Sequence, residues 1–83
     1  MNLLSKQEGL KYQIEGKILH VEPCPNAKEC TWSVFDISGS EKCSGKLNQQ
    51  TGPVIDLNCL QSGVYEICLM DGVRLRTARF RLV

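Results

Sequence analysis

The sequence predicts a single all-β domain, a small immunoglobulin-like β-sandwich of about seven antiparallel strands. Three observations support this fold class. No segment shows a sustained helical repeat of apolar residues. Glycine or proline interrupts the chain of 83 residues at short intervals, which leaves room for strands of about five to ten residues. The segments between these interruptions are rich in valine, isoleucine, leucine and aromatic residues, as strands of a sandwich are.

The predicted strands follow one another with short connections. They are residues 10–14, 18–22, 30–37, 42–47 and 54–57, followed by the two strands of a hairpin around Asp71-Gly72. Gly16 permits the positive φ of the first turn, and Pro23 ends the second strand because proline cannot donate to a ladder. Apolar residues on both faces of the third strand predict that it is central in its sheet. Lysines in the fourth predict an edge strand. Residues 1–9 are predicted to be a flexible N-terminal segment, and residues 10–83 the domain.

The final hairpin has a composition that predicts its register. Its turn carries Asp71 and Gly72, which both favour tight loops. A three-residue loop with Gly72 in the left-handed region would pair Leu69 with Val73 and keep arginines off the apolar face. We therefore predict this loop, with Asp71 and Gly72 in structural roles.

All four arginines of the chain lie in the last predicted strand. The three-residue loop places Glu66 opposite Arg76, an opposite-charge pair worth about 0.2–1 kcal/mol, and turns Arg74 to solvent as well. The apolar alternation reverses after Thr77, which predicts a β-bulge there. Beyond that bulge lie the two candidate partner-binding residues, Arg79 and Arg81.

These two arginines have two interpretations that the sequence leaves open. Arginine forks bind carboxylates and phosphates bidentately, so Arg79 and Arg81 could form a recognition surface. Charged residues on a strand face also keep a sheet edge soluble, which is a common structural role. The predicted core is Tyr12, Ile14, Ile18, Trp32, Val34, Ile37, Ile55, Leu57, Leu60, Tyr65, Ile67, Leu69, Leu75 and Phe80.

Composition argues against several classes of function. The net charge of +1 is too balanced for a non-specific nucleic-acid binder. The apolar runs are too short to insert in a membrane, and the N-terminus lacks the apolar segment of a secretory signal peptide. Nothing places His20 beside one particular cysteine, and no Cys-x-x-Cys pair occurs. We therefore expect no catalytic centre, no metal site and no other cofactor.

Five cysteines are many for so short a chain, and their odd number leaves at least one thiol outside any intramolecular disulfide. Cys24 and Cys30 flank a short loop that a disulfide between them could close. The odd count and the missing signal peptide favour reduced or partly reduced cysteines over a full disulfide framework. The odd cysteine, or an exposed sheet edge, also offers a route to a dimer.

Several segments resemble one known family. Residues 32–39, Trp-Ser-Val-Phe-Asp-Ile-Ser-Gly, look like the V-x-V-Y-D-x-x-G segment of C-terminal sorting domains of the type IX secretion system in Bacteroidetes. Residues 55–65 resemble their I-D-L-x-x-L-x-x-G-x-Y segment, and residues 73–83 are similar to their basic final strand. Residues 14–21 fit the leading hairpin of related Bacteroides sandwich domains.

The resemblance implies a small sandwich that acts as a non-enzymatic sorting or cell-surface interaction module. Its protein partner would be secretion machinery or a surface protein. Gly63 and Tyr65 fall in the matching segment, and we expect both to be structural, with the Tyr65 hydroxyl bonded to nearby backbone as in related sandwiches. The alternative is a small cytoplasmic protein-interaction domain that uses a sheet edge or an apolar patch. We expect a secreted or surface location if the sequence is part of a larger cargo protein, and a cytoplasmic one if it is complete.

Overall fold

The computed structural model describes residues 7–22, 29–48, 51–71 and 74–83, which form two packed β-sheets. The strands are β1 (Gln7–Gly9), β2 (Tyr12–Glu15), β3 (Ile18–Val21), β4 (Glu29–Asp36), β5 (Glu41–Asn48), β6 (Val54–Asp56), β7 (Gly63–Asp71) and β8 (Arg74–Leu82). No helix occurs within these ranges. The predicted all-β sandwich is therefore confirmed.

The two sheets have the strand orders β1-β8-β7-β4-β5 and β2-β3-β6. Every neighbouring pair is antiparallel except β1, which runs parallel to β8. One sheet thus holds the first hairpin with β6, and the other holds β4, β7 and β8, which is how an immunoglobulin sandwich divides its strands. Because β1 belongs to the sheet, the folded part of the chain extends three residues further toward the N-terminus than the predicted boundary at residue 10.

The predicted roles of the third and fourth strands are confirmed. β4 lies between β7 and β5 in the five-stranded sheet, and β5 forms one edge of it. The first turn is also where the sequence predicted it. Gly16 adopts a φ of 62°, a left-handed value that glycine accepts without steric cost. The resulting two-residue loop pairs Glu15 with Ile18. The predicted break at Pro23 lies outside the described residues.

That first turn also decides which side of β3 faces the core. With Glu15 opposite Ile18, the buried residues of β3 are Leu19 and Val21, while Ile18 is only half-buried. The prediction of Ile18 as a core residue was therefore wrong, because the buried face of β3 begins one residue later, at Leu19.

The core lies between the sheets, and most of the predicted apolar set contributes to it. Two predictions were wrong: Ile37 is 84% exposed in the turn after β4, and Tyr12 is 37% exposed at the sandwich rim. Ile14, Trp32 and Leu75 are half-buried. The buried apolar residues are Leu10, Leu19, Val21, Cys30, Val34, Leu47, Ile55, Leu57, Leu60, Tyr65, Ile67, Leu69, Phe80 and Leu82.

The register of the last hairpin differs from the prediction. Asp71 pairs with Arg74, so only residues 72–73 separate the strands, and the predicted three-residue loop is wrong. Leu69 stands opposite Arg76 instead of Val73. The predicted structural role of Gly72 lies outside the described residues. Asp71 is the last residue of β7.

The predicted bulge at Thr77 is also absent, because β7 and β8 pair continuously over their described length. Glu66 stands opposite Arg79, not Arg76. Arginines that all avoid the core would require a reversal of the alternation along β8, which is why the sequence predicts a bulge. The structure has no reversal, since Arg76 lies in the same alternating row as the buried Phe80 and Leu82.

Candidate functional site

The two candidate partner-binding residues lie on the outer face of the five-stranded sheet, which is the face turned away from the core. Arg79 and Arg81 alternate along β8 with the buried Phe80 and Leu82. Both arginines are exposed. Successive residues on one face of a strand lie about 7 Å apart, so the two guanidinium groups share one patch of surface.

The neighbouring strands continue this patch across the sheet. Glu66 on β7 stands between Arg79 on β8 and Phe35 on β4 in the pairing of the three strands. Glu66 is exposed and Phe35 is half-buried. An apolar ring, a carboxylate and a guanidinium group therefore lie side by side on three neighbouring strands of the outer face.

The backbone below this patch is fixed by a contact from the other sheet. The hydroxyl of Tyr12 on β2 donates a hydrogen bond of 2.9 Å to the carbonyl oxygen of Arg79. The Tyr12 ring also meets the Phe80 ring edge-on, with centroids 6.3 Å apart. A side chain presented from a tied strand loses less conformational freedom on binding than one presented from a loop.

A shallow depression of about 530 Å³ opens at the end of the outer face where Arg79 lies. Its rim combines the exposed apolar side chain of Ile37 with charged groups of both signs. The residues that line it are Phe35, Asp36, Ile37, Gly39, Val64, Tyr65, Glu66, Cys68 and Arg79. A surface of this kind can bind a protein segment through apolar contact and ion pairing.

Asp36 on this rim ends β4 and holds the turn that follows. Its Oδ1 accepts hydrogen bonds from the hydroxyl and backbone N–H of Ser38, at 2.6 and 2.9 Å, and from the N–H of Ser40 at 3.0 Å. The Ser38 hydroxyl is the main cause of a lowered Asp36 pKa, aided by the Ser40 N–H. Because folding lowers this pKa, the contribution of ionised Asp36 to stability is present at neutral pH and is lost as the pH falls below 3.8.

Asp56 plays the same part in another turn. Its Oδ1 accepts hydrogen bonds from the backbone N–H of Asn58 at 2.9 Å and from the Asn58 side-chain amide at 2.7 Å. The backbone N–H is the larger cause of a lowered Asp56 pKa. Both carboxylates therefore stabilise turns as ionised acceptors.

Tyr65 occupies the corner between β6 and β7. Its hydroxyl donates a 2.8 Å hydrogen bond to the carbonyl oxygen of Gln61, four residues upstream. This is the backbone contact that the sequence predicted for a corner tyrosine. The Tyr65 ring stacks on Phe80 with centroids 5.9 Å apart. Gly63 begins β7 and pairs with Leu82. Gly63 and Tyr65, for which the sequence predicts structural roles, therefore both lie where the chain enters the sheet.

Arg76 is buried, although the sequence predicts that it is exposed on the sheet surface. Its side chain is 2% exposed. One guanidinium nitrogen, Nη1, lies 3.5 Å from Oε1 of Glu22, whose side chain is 47% exposed. The uninterrupted row of Arg76, Ala78, Phe80 and Leu82 was the signal in the sequence. A buried charge is costly unless it is paired, so the sequence nevertheless favours an exposed Arg76.

The cysteines are partly oxidised, within the range that the sequence favoured. Cys30 is disulfide-bonded, and its partner lies outside the described residues. Cys43, Cys59 and Cys68 are free thiols. His20 is half-buried on β3. Across the described residues, no three side chains of histidine, cysteine, aspartate or glutamate form a group that could hold a metal ion.

The described part of the chain contains no helix with the length and apolar character needed to cross a membrane. No protein-family model, curated protein or solved structure matches this sequence. The resemblance to type IX sorting domains therefore stays a prediction that rests on the sequence segments alone.

Proposed function

We propose that this chain is a non-enzymatic protein-interaction module that binds its partner with the outer face of the five-stranded sheet. The observation that carries the proposal is the placement of Arg79 and Arg81, both exposed on one face, with Arg79 lining a depression that also carries the apolar Ile37. The partner is a protein segment that presents carboxylates next to an apolar side chain.

The chemistry of the two arginines supports an acidic partner. A guanidinium fork accepts a carboxylate bidentately, which gives direction as well as attraction. Glu66 stands opposite Arg79 across the strands, whereas Arg81 stands opposite the apolar Val64. Because no carboxylate stands opposite Arg81, it is the stronger attractor of an incoming carboxylate, and Ile37 offers an apolar contact in the depression that Arg79 lines.

A selection from displayed peptides tests this surface directly. Peptides selected on the purified chain should carry aspartate or glutamate next to an apolar residue. The double variant R79A/R81A should weaken their binding by about tenfold or more, while K11A should leave it unchanged, since Lys11 is an exposed cation outside β8. R79K/R81K keeps the charge and loses the fork, so an intermediate loss is expected. Selected peptides without acidic residues would contradict the proposal.

The more specific form of this proposal is sorting of a secreted protein by the type IX system. The segment resemblance and the exposed arginines of the final strand support it. A periplasm-directed reporter fused ahead of the chain should reach the surface of a Bacteroidetes host that has this system. R79A/R81A should reduce that export. Periplasmic retention of the wild-type fusion would reject the sorting role and leave peptide binding to be judged by the selection.

The open edge of β5 favours a second candidate, a cytoplasmic interaction domain that adds a strand from its partner. No strand pairs with the outer side of β5 (Glu41–Asn48) in the described ranges. Main-chain bonds would then supply the affinity. A proline at Ser44 should block this mode and spare the outer-face mode, provided that the variant keeps its fold by circular dichroism.

A further inference from the structure

One edge of the five-stranded sheet is only partly covered by its outermost strand, β1. This strand lies beside residues 75–77 of β8 and pairs with them in parallel. The chain then leaves the edge, since the N–H of Leu10 donates a 2.8 Å hydrogen bond to the carbonyl oxygen of Thr77 and β2 belongs to the other sheet. Within the described ranges, no strand lies beside residues 78–82 on this side. The second half of β8 is therefore an open sheet edge.

Backbone groups of Arg79 and Arg81 face this open edge. A residue in a strand points its N–H and C=O to the same side, and every second residue repeats that direction. The carbonyl oxygen of Thr77 faces the edge, where it accepts from Leu10. That of Arg79 faces it too, where it accepts a 2.9 Å hydrogen bond from the Tyr12 hydroxyl. The N–H and C=O of Arg81 therefore point the same way, and an added strand could form a ladder with both arginines.

The side chains of the same two residues select what such a strand must carry. Arg79 and Arg81 are exposed on the outer face, and a neighbouring strand would run about 4.8 Å away with every second side chain on that face. Two acidic residues in alternate positions would then each lie beside one guanidinium group. The residue between them would point inward, toward the Tyr12 ring, which is 37% exposed at the rim. The matching pattern is therefore acidic, apolar, acidic.

We propose that the acidic partner segment binds as an extra strand along residues 79–82 of β8, with carboxylates at alternate positions beside Arg79 and Arg81. This inference rests on the proposed outer-face function and specifies the conformation and residue spacing of its partner. Main-chain hydrogen bonds to the open edge supply affinity, and the bidentate pairing of carboxylates with guanidinium forks supplies selectivity. The partner is thus recognised by its extended backbone as well as by its charge.

Tyr12 competes with the added strand for one of these backbone groups. Its hydroxyl holds the carbonyl oxygen of Arg79, and a partner N–H must displace it to complete the ladder. Tyr12→Phe removes the competitor, so partner affinity should rise by about two- to tenfold, the factor that one exposed hydrogen bond contributes. A partner that contacted only the side chains of the outer face would not respond to this change.

The first experiment titrates the full chain with two synthetic peptides of equal composition, Thr-Asp-Val-Asp-Val-Thr and Thr-Asp-Asp-Val-Val-Thr. The alternating peptide should bind about fivefold or more tightly than its isomer, and R79A/R81A should remove the difference. K42A/K46A should preserve it, because this control removes two exposed cations from β5 at the opposite edge of the sheet. Equal affinities of the two peptides would overturn the alternate spacing, while the selection of displayed peptides judges the outer-face function separately.

The second experiment tests the backbone ladder by N-methylation of the alternating peptide. Alternate N–H groups of a strand point toward its neighbour and the others point away. Methylation of both aspartates and methylation of both valines should therefore have opposite results, with binding lost in one peptide and retained in the other. The sensitive pair also reports whether the added strand runs parallel or antiparallel to β8. The same response from both peptides would overturn strand addition and leave only side-chain contact with the outer face.

Amide hydrogen exchange gives an independent measurement on the protein itself. Saturation with the alternating peptide should slow exchange of the Arg81 N–H by about tenfold or more, since this group enters the ladder. The measurement uses the full chain with isotope-labelled arginine, followed by nuclear magnetic resonance. Tyr12→Phe should reach the same protection at a lower peptide concentration. Unchanged exchange at Arg81 in the presence of bound peptide would contradict an added strand at this edge.

Discussion

Arg76 and Arg79 lie three residues apart on β8, yet they face opposite sides of the five-stranded sheet. Arg76 points inward and is 1% exposed, while Arg79 is exposed on the outer face. The side chains have the same chemistry, so polarity cannot explain the difference. Strand alternation explains it, because β8 runs from Arg74 to Leu82 without a bulge and every second residue faces the core.

The inner face accepts Arg76 because its charged end can reach the rim of the sandwich. Its guanidinium lies near the carboxylate of Glu22, which is itself about half exposed. The long aliphatic stem then packs between the sheets as an apolar side chain would. On the outer face an arginine does not have to pack in the core, so Arg79 and Arg81 are available to a partner. The inner face should therefore govern stability and the outer face binding.

The largest expected effect is on the inner face, at Arg76. Arg76→Ala should lower the free energy of unfolding by about 2–4 kcal/mol, because the buried stem leaves a cavity. Arg76→Met keeps most of the stem and should recover more than half of that loss. Urea unfolding of both variants measures the difference. Equal losses in the two variants would show that the charge, not the packing, holds β8 in place.

A smaller effect is expected at Gly45, on the inner face of β5. A Cβ at this position would lie 2.8 Å from Cζ2 of Trp32, which is closer than carbon atoms approach. Gly45→Ala should therefore destabilise the domain by about 1–3 kcal/mol, as overpacking does, and it should change the Trp32 fluorescence. Ser44→Ala, one residue away on the other face, is the control and should change neither. Unchanged stability and fluorescence in Gly45→Ala would show that the Trp32 ring does not lie against this position.

The two tyrosine hydroxyls give a finer comparison. Tyr65→Phe removes a partly buried hydrogen bond to Gln61 and should cost about 0.5–1.5 kcal/mol. Tyr12→Phe removes an exposed bond to Arg79 and should cost less, since water replaces the donor. Thermal unfolding of the matched pair checks this order. The reverse order would contradict a structural corner at Tyr65.

The smallest effect on stability is expected at Arg79. Arg79→Ala should change the free energy of unfolding by about 0.5 kcal/mol or less, since an exposed side chain on a strand contributes little. Peptide binding should nevertheless weaken. Chemical unfolding and peptide titration of the same sample separate the two effects. A loss of stability comparable to that of Arg76→Ala would remove the distinction between the faces.

The fold class, the central and edge strands and the first turn follow from the sequence alone. These features depend on local chemistry: glycine at a positive φ and short apolar segments between breakers. The Tyr65 corner also followed from its place after Gly63. The exposure of Arg79 and Arg81 was predicted as well, although the bulge invoked to explain it does not exist.

The register of the last hairpin and the burial of Arg76 become visible only in the folded structure. The burial of Arg76 depends on a partner that is distant in sequence, since Glu22 approaches Arg76 across 54 residues. Local patterns assign a residue to a strand and to one of its two faces. The packing of the two sheets decides which face of a strand is buried and which residues that face contacts.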